Sequence, residues 1–121
     1  MADRMLFIGW GQTVRGREER AVEVFNETVG LYGRMQQDGR IEKFDVCLLQ
    51  PHGGGLEGYV ALYGTEAQMQ SVEADAEFQR NMTDASLIVD ELGVVHGWVN
   101  EGIADQMGIY TEAVAKVPSR A

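Results

Sequence analysis

The chain has 121 residues, 45% of them hydrophobic, and a formal net charge of −9. These values are typical of one globular domain, which we expect to span residues 1–121, and the acidic balance argues against a nucleic-acid partner because phosphate binding needs a basic surface. Cys47 is the one cysteine, so an internal disulfide is excluded, and no window reaches the roughly 18 apolar residues of a membrane helix. We therefore expect a cytoplasmic protein that binds neither nucleic acid nor membrane.

The first half of the chain predicts a strand, a helix and a hairpin. Residues 5–10 (MLFIGW) form a short apolar run, which indicates a buried strand. Over residues 17–37, apolar side chains recur at spacings of three and four, which predicts an amphipathic helix. Residues 41–50 and 57–63 predict two strands. The segment between them is too short for a crossover helix, so the pair is expected to be antiparallel.

The second half predicts a helical region, a strand and a final helix. The sequence Thr65-Glu66-Ala67-Gln68 fits a capping box at a helix start. Asp75 is a candidate cap for a second helical segment after it. Residues 93–99 (GVVHGWV) predict a fourth strand, and residues 104–117 predict a helix that Pro118 ends.

This order of elements predicts an α+β, ferredoxin-like fold. Its βαββαβ pattern carries an extra C-terminal helix, and the antiparallel sheet should have strand order 4-1-3-2. Two helices would cover one face of this sheet. Because the strands are apolar on both sides, the second face also needs cover, and a partner sheet packed against it would provide this cover. We therefore expect a homodimer.

The stretch PHGGGLEG at residues 51–58 has three candidate interpretations. An HGGG oxyanion hole requires a nucleophilic serine in a G-x-S-x-G turn, and none of the three serines lies in one. A turn between two strands is the favoured interpretation, because glycine reaches positive φ without steric cost. A further hypothesis makes this loop a flexible lid, with His52 beside the mouth of a cavity.

Residues 11–18 (GQTVRGRE) follow a strand and open a helix, as a phosphate-binding loop does. However, Arg17 and Glu18 stand where that motif requires lysine and a hydroxyl residue. A looser anion site that uses the helix N-terminus with Arg15 or Arg17 is kept as an alternative to a solvated loop.

Two pairs of residues on predicted strands are candidates for chemistry. His96 and Trp98 alternate on the fourth strand and therefore share a face, where a histidine base would lie beside an aromatic wall. Tyr59 and Tyr63 share a face of the third strand and could orient a substrate through their hydroxyl groups. Structural roles in the core are the competing interpretation for both pairs. Metal-ligand spacing is lacking between the two histidines, although haem ligation by His96 alone is left open.

The stretches RGREER, GYVALYGT, EFQRNM and GVVHGWV, in this order of elements, resemble the dimeric α+β barrel superfamily over residues 5–103. That superfamily includes the antibiotic-biosynthesis monooxygenase-like proteins and related small proteins of unknown function. The resemblance implies a cavity between sheet and helices or inside a two-sheet barrel. Some members oxidise aromatic polyketides or quinols with oxygen and no cofactor, others bind or degrade haem, and others isomerise or dehydrate small substrates.

Taken together, these observations predict a small-molecule-binding protein. The leading enzyme hypothesis, which the resemblance implies, is a cofactor-independent oxygenase acting on a small aromatic or polyketide-like compound, without cofactor or metal. His96 would be the catalytic base, and the substrate would contact Tyr59, Tyr63, Trp98 and His52. The alternative is a non-catalytic ligand-binding or assembly domain.

Overall fold

A computed structural model describes residues 1–120 as four strands and four helices. In chain order the elements are β1 (Arg4–Trp10), α1 (Glu18–Gln37), β2 (Lys43–Leu48), β3 (Gly58–Gly64), α2 (Glu66–Ala74), α3 (Ala76–Ser86), β4 (Gly93–Trp98) and α4 (Glu101–Ala115). This order confirms the expected βαββαβ pattern with an additional C-terminal helix. No helix within residues 1–120 is both long and apolar enough to cross a membrane.

The four strands form one antiparallel sheet in the order β2-β3-β1-β4. This is the predicted order 4-1-3-2 read from the opposite edge, so the fold class is confirmed. Leu6 of β1 pairs with Leu62 of β3 on one side and with His96 of β4 on the other. The register therefore places these three side chains on the same face of the sheet.

Helices α1, α2 and α3 cover one face of this sheet, and the main core lies between the two layers. Burial of these apolar side chains is the largest favourable term in the stability of such a layer pair. The core side chains from the sheet are Leu6, Ile8, Val60 and Leu62, and those from the helices are Leu31, Tyr32, Met35, Met69, Val72 and Phe78.

The second helical region is divided in two at Asp75. Thr65 caps α2 in the predicted capping box, in which its hydroxyl accepts from Gln68 N at 3.1 Å and the Gln68 side chain accepts from Thr65 N at 2.8 Å. Asp75 ends α2 and caps α3, because its carboxylate accepts from Phe78 N at 2.9 Å. The same hydrogen bond, together with Arg40 at 3.0 Å, holds the pKa of Asp75 below its usual value.

The other face of the sheet is not covered by any helix of the described chain. It carries Met5 and Phe7 of β1, Tyr59 and Ala61 of β3, and Val95 of β4. We call this surface the open face. Val95 is 58% exposed there, whereas Ala61 is buried beneath its larger neighbours.

Helix α4 begins three residues earlier than the pattern of apolar residues predicts. Asn100 precedes it with a φ of 53°, and its side-chain amide donates to Ala2 O at 2.7 Å. Gly102 follows in the first turn, where its backbone lies directly against Asp3 O. Contacts with the N-terminal segment thus determine where the helix starts. The local sequence of the helix gives no sign of these contacts.

The close approach at Gly102 predicts that the stability of the protein depends strongly on the size of the residue at this position. In Gly102→Ala the added Cβ would clash with the carbonyl oxygen of Asp3, so we expect the free energy of unfolding to fall by about 1–3 kcal/mol, as in overpacked cores. Gly108→Ala is the matched control, because an added Cβ meets no atom within 4 Å there. That variant should gain up to about 1 kcal/mol from helix propensity. Urea unfolding measures both, and equal effects would contradict the packing described for Gly102.

Candidate functional site

A cavity of about 390 Å³ lies between the helices and the covered face of the sheet. It opens at the end of the sheet where β1 passes into α1 and where the segment after α3 leads into β4. Aliphatic side chains make up most of its wall, among them Ile8, Val24, Val60, Ala85, Ile88 and Leu92. Volumes of 300–1,000 Å³ with apolar walls are typical of small-molecule sites, so this cavity is the candidate functional site.

Two of the polar side chains at the cavity, those of Thr28 and Glu18, are already hydrogen-bonded within the protein. The hydroxyl of Thr28 donates to Val24 O at 2.7 Å and accepts from the side-chain amide of Asn81 at 2.8 Å. The carboxylate of Glu18 accepts twice from Gly16 N, at 2.7 and 3.0 Å. Among the described residues that line the cavity, Glu18 is the single ionisable side chain. The arrangement is thus suited to holding apolar matter and provides few groups for proton transfer.

Three loops meet at the mouth end of the cavity. Gly11 N donates to Asp90 O at 2.7 Å and Glu57 N donates to Trp10 O at 2.8 Å, which ties the loop after β1 to the loops before β4 and β3. An added Cβ at Gly11 would lie 2.9 Å from Asp90 O, so only glycine fits this approach. The loops are therefore held together by the backbone at this end.

The glycine-rich stretch forms the connection between β2 and β3, which agrees with its interpretation as a turn. Gly53 has a φ of +83°, in the region that favours glycine. His52 lies within this loop, where its Nε2 is 2.7 Å from Leu56 O and its Nδ1 accepts from Gly54 N at 3.2 Å. Both ring nitrogens of His52 are therefore used to hold the loop.

Two side chains at the start of α1 make hydrogen bonds within the chain. Glu18 places its carboxylate on Gly16 N, and the guanidinium of Arg17 donates to Leu87 O. The negative charge of Glu18 beside this helix start would oppose the binding of an anion. Within residues 1–120, moreover, no cluster of three or more metal-ligating side chains occurs.

His96 and Trp98 lie together on β4, as their alternation predicts, but outside the cavity. They line a shallow groove of about 370 Å³ between β4, α2 and α4, together with Arg4, Met69 and Gln106. The Nε2 of His96 is 3.0 Å from a carboxylate oxygen of Glu73. Because β4 is an edge strand, both ring systems are largely exposed to solvent.

Tyr59 and Tyr63 lie on the open face, on the other side of the sheet from His96 and Trp98. The ring of Tyr59 stacks on Phe7 with centroids 5.0 Å apart, and a hydrogen bond to the Cys47 thiol raises the pKa of its hydroxyl. Partial burial is the larger cause that raises the pKa of Tyr63, and a hydrogen bond to Asp45 is the smaller one. The sequence-predicted residues therefore occupy three separate places, and the register does not bring them to a common cavity.

Sequence reasoning missed the residues that create the cavity. Ala21 of α1 and Ala85 of α3 both line the cavity, on the facing sides of the two helices. Larger apolar residues at these positions would fill the cavity. The apolar stripe of α1 was recognised, but its small members give no sign of a void until the opposite wall is known. The one sequence signal for the cavity is the presence of alanine on the apolar faces of two different helices.

Comparisons with protein-family models and with curated proteins find no match. Solved structures do match. A dimeric protein of unknown function from Bacteroides fragilis, with a ferredoxin-like fold, has a TM-score of 0.59 at 11% identity, over 79% of this chain and 96% of that chain. A dimeric ferredoxin-like protein of unknown function from a Jannaschia species has a TM-score of 0.58 at 10% identity, over 80% of this chain and 98% of that chain.

A third solved structure is SnoaB, a cofactor-independent oxygenase from Streptomyces nogalater. Its TM-score is 0.50 at 18% identity, over 82% of this chain and 93% of that chain. At such identities a structural likeness shows the fold alone. The chain therefore has the ferredoxin-like α+β fold that these dimeric proteins and this oxygenase share, which confirms the fold that the resemblance implied.

Proposed function

We propose that this protein binds an apolar small molecule in the cavity between α1, α3 and the covered face of the sheet. The observation that carries the proposal is a space of about 390 Å³ with a mostly apolar wall, in which the hydroxyl of Thr28 is already hydrogen-bonded. An apolar ligand would gain roughly 25 cal/mol for each Å² that it removes from water. The hydrogen bonds that Thr28 and Glu18 make within the protein would remain when the ligand enters.

The charge of the wall narrows the ligand class. Among the described lining residues there is no lysine, arginine or histidine, so the carboxylate of an anionic ligand would be desolvated without a counter-ion. Trp10 and Phe25 form the aromatic part of the wall, with ring centroids 6.4 Å apart in an edge-to-face arrangement. A neutral compound with a ring system fits this chemistry best.

The protein is further proposed to act as a homodimer. Its open face carries stacked aromatic rings and the exposed Val95, a surface that water solvates poorly. Two of the solved structures with this fold are dimeric. A second copy packed face to face would cover the open face in the manner of a β-sandwich.

A cofactor-independent oxygenase is the second candidate, supported by the likeness to SnoaB and by an apolar cavity of a size that suits a small aromatic substrate. Such chemistry begins with removal of a proton from the substrate, which requires a base. Glu18 is the ionisable group at the cavity itself. The sequence-based assignment of His96 as the base stays a prediction, and it requires that the substrate lie in the groove beside β4.

Filling the cavity should prevent ligand binding. We expect Ala21→Phe to weaken binding of N-phenyl-1-naphthylamine, a neutral fluorescent probe, by about tenfold or more, equivalent to about 1.4 kcal/mol. Ala67→Phe, at an exposed position of α2, is the control and should bind as the unsubstituted protein does. Fluorescence titration measures the affinities. If His96→Ala weakens binding while Ala21→Phe does not, the ligand lies in the groove of His96 and the cavity proposal is wrong.

A charge on the open face should dissociate the dimer. Val95→Lys places an ammonium group on that face, and we expect native mass spectrometry to show monomers at concentrations where the unsubstituted chain is dimeric. Val94→Lys is the matched control, because this neighbouring residue points to the opposite face of the same strand. Dimers that survive Val95→Lys unchanged would contradict the face-to-face assembly.

Oxygenase activity would appear as oxygen uptake. With anthrone, an apolar tricyclic compound with an acidic methylene group, we expect an oxygen electrode to record faster consumption than without protein. Ala21→Phe should remove this excess because the substrate is excluded. If the protein binds anthrone but oxygen uptake is no faster than the background, the oxygenase hypothesis is wrong and ligand binding remains the proposed function.

A further inference from the structure

Helix α4 is the most apolar of the four helices and also the least buried. Gly102 is its one buried residue, and every residue from Met107 to Ala115 is exposed. The helices of a globular domain normally turn their apolar side towards another element. An apolar helix surface left in water on a small domain therefore indicates an interaction site.

The exposed apolar side chains of α4 follow a regular repeat. Ile103, Met107, Tyr110 and Val114 are separated by four, three and four residues, and each is at least 51% exposed. We call these four residues the α4 seam. Alternating spacings of four and three are typical of two helices that pack along their length, with each side chain inserted between those of the facing helix. The spacing therefore indicates another helix as the partner of the seam.

The side of α4 that faces its own protomer is a different one. Gly102 packs against Asp3, and Gln106 lines the groove beside His96 and Trp98. With about 3.6 residues per turn, the seam lies roughly a quarter of a turn away from these two helix positions. The described part of the chain thus leaves the seam uncovered.

The charges of α4 are placed so that a second α4 would not be repelled. Glu101, Asp105 and Glu112 lie roughly half a turn from the seam. The four positions that flank the seam carry uncharged residues, which are Ala104, Gln106, Thr111 and Ala113. In paired helices, like charges at these flanking positions would oppose association. A chain with a net charge of −9 can therefore place this surface against a copy of itself.

The outward surfaces of α1 and α3 suit the seam less well. They carry ion pairs between the two helices, among them Arg20 with Asp84 and Arg34 with Glu77. An apolar seam laid over these groups would remove charges from water without replacing their hydration. Among the described helices, α4 itself is thus the surface that matches the α4 seam.

The proposed homodimer leaves α4 accessible, and this step rests on that proposal. The groove beside α4 is lined by His96 and Trp98, whose side chains lie on the helix-covered side of the sheet. A dimer formed through the open faces turns this side outward. Each such dimer would therefore present two copies of α4 to the solvent.

An antiparallel pair of α4 helices matches the seam residues by size. Around a two-fold axis at the middle of the seam, Met107 of one helix meets Tyr110 of the other, and Ile103 meets Val114. A parallel pair would instead set Tyr110 against Tyr110. The antiparallel arrangement also brings the positive end of each helix dipole beside the negative end of the other.

The size of the seam limits the strength of this contact. Helix α4, with 15 residues at about 1.5 Å each and a width of about 10 Å, has an outline of roughly 220 Å². A stable interface buries about 800 Å² on each partner. One pair of α4 helices is therefore too small to hold two single chains together, and it should act between chains that the open face already joins.

We propose that α4 pairs in antiparallel orientation with α4 of a second homodimer and thereby joins dimers into assemblies of four or more chains. The α4 seam is then the contact between dimers, whereas the open face is the contact within each dimer. The occupant of the exposed helix is a second copy of this chain.

Charges in the seam should dissociate these assemblies. Met107→Glu combined with Tyr110→Glu places like charges in facing positions, so we expect native mass spectrometry to show dimers, with the dissociation constant between dimers raised about tenfold or more. The control, Gly108→Glu combined with Ala115→Glu, adds the same charges at exposed positions away from the seam and should keep the larger assemblies. Circular dichroism checks that both variants keep their helices. Equal effects of the two variants, or an unsubstituted protein that forms nothing larger than a dimer, would overturn the proposal.

The orientation of the pair has its own test. Met107→Glu combined with Tyr110→Lys sets opposite charges against each other in an antiparallel pair, and like charges in a parallel pair. We therefore expect this variant to recover the assemblies that the double glutamate variant loses. If it dissociates as readily as the double glutamate variant does, the antiparallel pairing is wrong.

Photo-cross-linking identifies the surface that the seam contacts. Tyr110 is replaced by p-benzoylphenylalanine in the full-length chain, which is mixed with ¹⁵N-labelled unsubstituted chain and irradiated. We expect mass spectrometry to find cross-links from position 110 to the heavy peptide that contains Met107. The same photo-reactive residue at Glu112, on the opposite side of α4, is the control and should give no such product. Cross-links to the strands of the open face or to other helices, in place of α4, would overturn the proposal.

The two interfaces can fail separately. If Val95→Lys leaves dimers intact while cross-links join two α4 helices, the face-to-face homodimer is wrong and the pairing of α4 stands. If Val95→Lys dissociates the dimers but no cross-link joins α4 to α4, the homodimer stands and the pairing of α4 alone is wrong.

Discussion

The structure depends on one constraint, which is that its sheet has two apolar faces and helices for only one of them. Helices α1 to α3 bury Leu6, Ile8, Val60 and Leu62 and thereby form the core. Their packing is incomplete at Ala21 and Ala85, where short side chains leave a cavity instead of solid core. The opposite face, with Phe7 stacked on Tyr59, is left without cover by any helix of the described chain. The proposed ligand binding and the proposed homodimer thus both follow from how the two faces of a single sheet are covered.

The fold was predictable from the sequence because it depends on local signals that agree with one another. The change of period from the apolar run of β1 to the spacing of α1 identifies both elements, and the short link after β2 permits only a hairpin. Thr65 and Gln68 mark the start of α2 through hydrogen bonds between near neighbours. The start of α4 was missed because Ala2 and Asp3, about a hundred residues away, determine it.

The candidate site was less predictable, since it arises from relations between elements. Alternation correctly places His96 and Trp98 on one face of β4, and Tyr59 and Tyr63 on one face of β3. Only the register shows that these pairs face opposite sides of the sheet. A cavity, moreover, depends on the residues of both elements that enclose it. The alanines of α1 and α3 become a cavity when the helices pack together, and neither helix encodes it alone.

The alternation along β1 has a consequence for how such a protein diverges. In a homodimer, Leu6 and Ile8 would pack against helices of their own chain, whereas Met5 and Phe7 would pack against another molecule. Adjacent codons are therefore subject to different selection. After gene duplication, two paralogues that come to pair with each other can change the residues at alternate positions of their strands together, while the intervening positions stay under the control of each chain's own core. Their divergence would follow the two-residue period of the strand.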